Sequence, residues 1–222
     1  MKKDDENAAI VIGIGLLLMA GSGKHPAGPR GSVPPLASGI PWGAGWSWPV
    51  PAARIGAKVY DPEVSNPFRP PTHAGVDVMF RRSGPADVPQ YPPGSTNGST
   101  MYFAPPGTPI LAAKDARVWS VIRTVRGWGV VLDHGRPFAT FYQHLETVDF
   151  PVHAMGYLQG TKTITTVKAG DRLGTMGADP TDAMRLRHLH FAVWYQGHGD
   201  SASVDPQQAM TSWARPAAWT VT

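Results

Sequence analysis

The chain has eight histidines, at positions 25, 73, 134, 144, 153, 188, 190 and 198, and no cysteine. Without cysteine there is no thiol nucleophile, no disulfide scaffold, no iron–sulfur cluster and no Cys-type zinc site. Metal or acid–base chemistry must come from imidazole and carboxylate. Two local patterns stand out: His73-Ala-Gly-Val-Asp77 and His188-Leu-His190. On a strand, residues i and i+2 share a face, so His188 and His190 place two imidazoles side by side while Leu189, Phe191, Val193 and Tyr195 face the other way. The i, i+4 spacing of His73 and Asp77 would suit a helix, but Pro70, Pro71 and Gly75 argue against one. Fully extended, the two α-carbons would lie roughly 13 Å apart, too far to share an ion. If both bind one metal the backbone must bend between them, and Gly75 permits the bend. Joined, the patterns supply imidazole and carboxylate donors for one cation with a position left for water. Zinc suits these donors; copper, nickel and non-haem iron are not excluded by ligand type. No HExxH occurs, so the helix-borne metalloprotease site is ruled out.

These residues need a frame. The 222 residues suffice for one domain and something small. With 25 glycines and 23 prolines, roughly a fifth of the chain is turn-forming, against about 12 % on average. Only 16 % is charged. A helical bundle or coiled coil is excluded, and a β-rich chain with many turns is expected. Strand-like runs occur at Pro109–Ala113, Arg117–Arg123, Gly129–Asp133, Ala139–Gln143 and Leu189–Tyr195, with a short strand-like alternation at Trp46, Trp48 and Val50. Short helical turns are expected only near Asp182–Leu186 and Pro206–Met210. The fold class is mainly β, a small antiparallel sheet core with long loops.

Ahead of this domain the texture differs. Residues 1–7 are a mixed-charge head, and residues 8–20 (AAIVIGIGLLLMA) are a continuous apolar run. It is shorter than the ~20 residues that span a bilayer. Three readings stand for it: an export signal or membrane anchor, a peg docked on a partner assembly, or a buried core segment. Residues 21–43 have linker composition, and the globular part is expected over residues 44–222. The net charge of +4 is mild, and the arginine pairs are scattered, so no nucleic-acid partner is expected.

Read together, these words resemble the lysostaphin-type (LytM-type) zinc metallopeptidases, which cleave peptidoglycan peptides. His73 and Asp77 match the family's HxxxD, His188 and His190 its HxH, and Tyr142-Gln-His144-Leu145 its Y-x-H-L. Flanking words agree: Trp48-Pro-Val50, Gly107–Ala113, Val131–Gly135, Val167–Asp171, Gly174, Gly177 and Val204-Asp-Pro206. The resemblance spans approximately Trp46 to Met210. It implies one Zn²⁺ held by His73, Asp77 and His190, with His144 and His188 as catalytic partners beside it. It implies a LytM-like sheet (the duplicated-hybrid-motif type) with a groove walled by loops, and peptidoglycan peptides as substrate. Such zinc polarises a carbonyl and lowers the pKa of bound water. Proton transfer then falls to His144 and His188, without a spacing argument for which is the base. A neutral imidazole base implies activity falling below about pH 6.5.

The expected function is a zinc metalloendopeptidase acting on peptidoglycan cross-links or stem peptides, outside the cytoplasm, as a tethered bacterial enzyme or a phage-particle component. The other reading is a non-catalytic wall-binding or activator module on the same fold. Departures from the family are a long Pro/Gly/Ser/Thr insertion at residues 81–101, expected to border the groove, and Met184-Arg-Leu-Arg187 in place of a small Gly-Pro. Arg185, Arg187 and Tyr142 are candidate groove residues, the two arginines as partners for substrate carboxylates. His134 is expected to be structural, and His153 and His198 to sit on solvated loops.

Overall fold

Alternating apolar residues on short strands, separated by Gly and Pro, produce in the computed structural model an antiparallel sheet of eleven strands. The structure describes residues 39–83, 101–150, 165–181 and 185–221. The apolar run 8–20, the charged head, most of the linker, His25, His153 and most of the 81–101 insertion lie outside these, as do residues 182–184. All elements below belong to one unit, residues 36–222.

Three short strands, β1 (Ala53–Ile55), β2 (Lys58–Tyr60) and β14 (Trp219–Thr220), form a small sheet. The large sheet is built from β3 (Pro62–Asn66), β4 (Val76–Arg81), β5 (Tyr102–Phe103), β6 (Pro109–Leu111), β7 (Ala116–Thr124), β8 (Gly127–Asp133), β9 (Phe138–Val148), β10 (Thr166–Val167), β11 (Arg172–Met176), β12 (Leu189–Tyr195) and β13 (Ser203–Val204). Its main path runs β10-β7-β8-β9-β12-β4-β3. The one described α-helix, α1 (Gln207–Met210), is a single turn where a turn was expected.

The five longer strand expectations fall on β6, β7, β8, β9 and β12, and Leu189–Tyr195 coincides with β12. β9 runs on to Val148, well past Gln143, because β11 pairs with its far half. The strands of two or three residues carry no readable alternation. The Trp46–Val50 segment is corrected: it is no strand but one bridge, Ser47 to Ala214. Pro49 and Pro51 have no N–H to continue a ladder. Its apolar side chains nevertheless enter the core, and Ile40 and Trp42, ahead of residue 44, pack there as well.

Parity decides which face carries chemistry. On β12, Leu189, Phe191 and Val193 are fully buried in the main core. His190, Ala192 and Trp194 take the other face, opposite Gln143, Phe141 and Ala139 of β9. Tyr142 lies opposite Phe191, so it belongs to the core face and has no exposed surface. Its hydroxyl accepts the Ala113 N–H at 2.8 Å. The expectation that Tyr142 lines the groove is therefore overturned by alternation along β9.

His134 occupies a structural position. It sits against Trp46, with ring centroids 5.3 Å apart. Its Nδ1 donates to the Asp115 carbonyl at 3.0 Å, and its Nε2 accepts from the Thr140 hydroxyl at 2.8 Å. Burial pushes this imidazole down to about 4. The unfolded chain takes the proton near 6.5, whereas the folded chain resists until about 4. Stability is thus present above pH 6.5 and declines as pH falls from there toward 4. Urea unfolding midpoints at pH 7 and 4.5 should show this decline. His134→Gln should lower the midpoint at pH 7 while flattening its pH dependence.

Candidate metal centre

Three elements meet at the site. β4 brings Asp77, the turn before it brings His73, β12 brings His190, and the residue ahead of β12 is His188. Asp77 and His190 are directly opposed in the β4–β12 ladder, so their side chains share a face. His73 lies outside the ladder in a tight turn closed by its backbone bridge to Arg69. That turn brings His73 back over Asp77, so that His73 Nε2 lies 3.0 Å from Asp77 Oδ1.

The chain bends at Ala74 and Gly75 as expected, and position 75 is held to glycine by a second constraint as well. Gly75 is not in the left-handed region; it is needed for space. A Cβ there would lie 2.7 Å from His190 Nε2 and 2.8 Å from the Phe191 carbonyl oxygen. Both are closer than any side chain tolerates.

Three donor atoms converge. His73 Nε2, His190 Nδ1 and Asp77 Oδ1 are 3.0–3.1 Å from one another. Among the described residues this is the group of His and carboxylate atoms able to hold an ion. The other ring nitrogen of His73, Nδ1, donates to the Pro67 carbonyl at 2.8 Å. In its neutral form His73 therefore turns a lone pair on Nε2 toward a carboxylate oxygen. Two imidazole nitrogens and a carboxylate oxygen at such distances repel unless a cation, a proton or a metal ion, lies between them. A metal ion ~2.0–2.1 Å from each would hold tetrahedral ligand atoms roughly 3.3 Å apart. The donor set fits zinc. Asn66 completes the support, donating Nδ2 to Asp77 Oδ2 at 2.7 Å, and Arg69 donates to Asn66 Oδ1. Such outer hydrogen bonds fix the orientation of ligands.

The charges agree with a cation site. Burial alone would raise the Asp77 carboxyl, but hydrogen bonds from His190, His73 and Asn66 hold it far below the usual carboxylate range. The hydrogen bond to Asp77 raises the His73 imidazole above 6.5, against an opposing contribution from burial. Asp77, His188, His73 and His190 each keep between 13 and 17 % side-chain exposure, so the centre is recessed yet reachable.

The structure also gathers the other two histidines of the sequence reading. His188 Nε2 lies 3.8 Å from Asp77 Oδ1, and its Nδ1 donates to the Leu186 carbonyl at 3.0 Å. The His144 and His188 ring centroids are 4.5 Å apart, and those of His144 and His190 are 6.1 Å apart. Strict alternation from Tyr142 would send His144 into the core. A β-bulge prevents it: Trp128 pairs with Leu145 and Val130 with Tyr142, so Gly129 alone faces both Gln143 and His144. His144 takes φ 66, a left-handed conformation costing roughly 1–3 kcal/mol for a non-glycine residue. The chain is clamped there, since Gly177 donates its N–H to the His144 carbonyl at 2.6 Å and a Cβ on Gly177 would lie 2.7 Å from that oxygen.

Burial, with a smaller contribution from His188, pushes the His144 imidazole down to about 4. It stays neutral through pH 5–7. An acid fall-off near 6.5 is therefore not the signature of His144. His73, raised above 6.5, is the group whose proton competes with a metal ion.

The remaining candidates divide. Arg187 pairs with Glu146 and also donates to the Met176 carbonyl, so its charge is already matched within the chain. Arg185 is exposed, with φ 47. His198 is exposed on the loop after β12, as expected, with its ring centroid 4.0 Å from that of Trp119 and a further edge contact to Trp194. Sequence reasoning missed Asn66, Pro67, Arg126 and Asp179. None stands in a motif, and only Asp179, between Gly177 and His188, lies near one.

Residues 95–206, half of the chain, match the family model described as peptidase family M23. That segment contains His144, His188 and His190, while His73 and Asp77 precede it. An uncharacterized lipoprotein of Escherichia coli (strain K12), YgeR, is 33 % identical over 105 residues, 46 % of this chain and 35 % of that protein. The match thus spans about a third of that relative. Similar solved structures include a zinc containing peptidase from Vibrio cholerae (TM-score 0.46, 20 % identity, 74 % of this chain and 40 % of that one). The catalytic domain of lysostaphin from Staphylococcus simulans is another (TM-score 0.45, 19 % identity, 69 % of this chain and 93 % of that one).

The crowding at Gly75 gives a test of the centre. Gly75→Ala should displace the His190 ring and weaken zinc binding at least tenfold with the sheet intact, read by chelator competition beside far-UV circular dichroism. Unchanged affinity would contradict the assigned role of Gly75.

Proposed function

Because this chain belongs to peptidase family M23, we propose that it is a zinc-dependent endopeptidase that hydrolyses peptide bonds in the cross-links or stem peptides of bacterial peptidoglycan. The observation that carries this reading is the convergence of His73, Asp77 and His190 on one point, with His144 and His188 beside it.

His73, Asp77 and His190 would hold the zinc ion. When bound, zinc supplies a Lewis acid that polarises the scissile carbonyl and activates water. The remaining chemistry belongs to the side chains. His144 and His188 each give Nδ1–H to a backbone carbonyl, of Arg126 and Leu186 respectively. Each neutral ring therefore keeps a lone pair on Nε2, the atom that accepts a proton or, once protonated, donates to a developing oxyanion. Two such rings 4.5 Å apart allow one to take a proton while the other holds one. His144 is 3 % exposed, which strengthens the interactions of its ring.

We place the protein outside the cytoplasm. The description of the Escherichia coli relative as a lipoprotein supports this setting. So does the apolar run at residues 8–20 ahead of a linker, read as an anchor in a membrane or a partner assembly. Among the described residues no helix is long and apolar enough to cross a membrane.

Digestion of defined peptidoglycans followed by mass analysis tests the reading. Zinc-loaded protein should release peptide fragments whose termini identify one bond. Chelation should abolish release and zinc restore it, and His190→Ala should lose at least 100-fold. Activity should fall with decreasing pH from above the ordinary histidine range, and excess zinc should relieve that fall, because a proton on His73 competes with the metal. If wild type and His190→Ala both release nothing, the non-catalytic wall-binding reading replaces this one.

A further inference from the structure

His144 rests against a carboxylate that no sequence motif announces. Asp179 lies on the segment that leaves β11 and leads to His188, and it is only 7 % exposed. Its Oδ1 is engaged by Thr181, which donates both N–H (2.8 Å) and hydroxyl (2.6 Å). Its backbone is tied as well, donating N–H to the Leu186 carbonyl, next to the bridge between Ala178 and Arg187. These bonds aim the other oxygen, Oδ2, at two cationic or potentially cationic groups: His144 Nδ1 at 3.9 Å and Arg126 Nη1 at 3.9 Å. The Arg126 carbonyl is the acceptor for His144 Nδ1–H, at 3.0 Å. Asp179 therefore lies beside both residues of the contact that orients His144, at the ring of one and the guanidinium of the other. The charged or titratable groups facing His144 are Arg126, Asp179, His188 and His190. Among the described residues, the Asp179 carboxylate is the charge that favours a positive ring, beside the Arg126 carbonyl that accepts its Nδ1–H.

We propose that Asp179 is a positioning residue for His144, holding its imidazole in the Nδ1–H form and stabilising the positive charge that the ring gathers when Nε2 takes a proton. The proposal rests on the reading of His144 as a group that moves a proton. A carboxylate beside Nδ1 penalises the alternative tautomer, which would set a lone pair against it. Without the carboxylate, the Arg126 carbonyl alone is left to offset the cost of charging this buried imidazole. Asp179 touches neither metal ligand nor substrate, so its loss should leave both bindings intact.

The test pairs long-range ¹H–¹⁵N spectra of the zinc-free full chain with steady-state kinetics of the zinc-loaded chain on the peptidoglycan fragment identified above. In wild type, His144 should show one tautomer, with hydrogen on Nδ1. Asp179→Asn should shift the His144 ring nitrogens toward a tautomer mixture and leave those of His134 in place. It should lower kcat by roughly 10–100-fold, less than full loss of an acid–base group costs, with KM and zinc affinity within about twofold of wild type. Asp179→Glu should recover part of both effects. If the Asn variant does not fold, Thr181→Val, which frees Oδ1 of one restraint, should give a smaller shift in the same direction. Unchanged His144 spectra in these variants would overturn the proposal. A wild-type protein without peptidase activity would sink the proposed function, while the spectra alone would still decide the role of Asp179.

Discussion

Everything at the centre follows from one electrostatic fact: three lone-pair-bearing atoms are held within 3.1 Å of one another on the face of a sheet. Such an arrangement is repulsive by itself and becomes favourable only with positive charge at its middle. The fold supplies the force that keeps the atoms there. Asp77 and His190 are locked in ladder register, and His73 is turned back by its own short loop and fastened to the Pro67 carbonyl. Asn66 and Arg69 extend the support from the neighbouring strand and the turn. The sheet thus stores a preference for a cation, in the sense that a site preorganised before binding needs no rearrangement on binding.

Around this centre, orientation is achieved largely by backbone carbonyls. His73, His144 and His188 each hand Nδ1–H to one, of Pro67, Arg126 and Leu186. A carbonyl accepts but cannot donate, so it selects one tautomer and leaves Nε2 for the chemistry. This device orients three rings without adding charges, and among the described residues Asp77 and Asp179 are the carboxylates that lie against the histidine cluster. The cost appears elsewhere, in the left-handed backbone of His144 and in the glycines that close contact demands at positions 75 and 177.

Much of this was legible in the sequence. The HxH spacing on a strand announced two imidazoles on one face, because the period of a strand is fixed at two. The absence of cysteine and of HExxH narrowed the donor set before any coordinates. The Gly and Pro excess pointed to short strands and tight turns, and the longer strands were found because their alternation is long enough to read. The smaller strands were not, since two or three residues among prolines carry no period. The resemblance, not the spacing, separated His188 from His190, and the geometry now gives that division a physical basis: His190 Nδ1 lies 3.1 Å from Asp77 Oδ1, and His188 Nε2 lies 3.8 Å from it.

The sequence by itself therefore determined the donor types, the mainly β class and the face shared by the HxH pair, because these depend on local chemistry and on a fixed strand period. Tertiary structure alone decided the rest. That His73 and Asp77 close over His190, 113 residues beyond Asp77, is a matter of ladder register between β4 and β12. That Tyr142 goes into the core while His144, two residues on, reaches the site is a matter of a bulge opposite Gly129. That Gly75 lacks room for a side chain as well as sitting in a bend, and that Asp179 faces His144, depend on contacts between segments far apart in the chain. Local sequence carries no record of such contacts, because register, bulges and close approaches arise only when strands pack against one another.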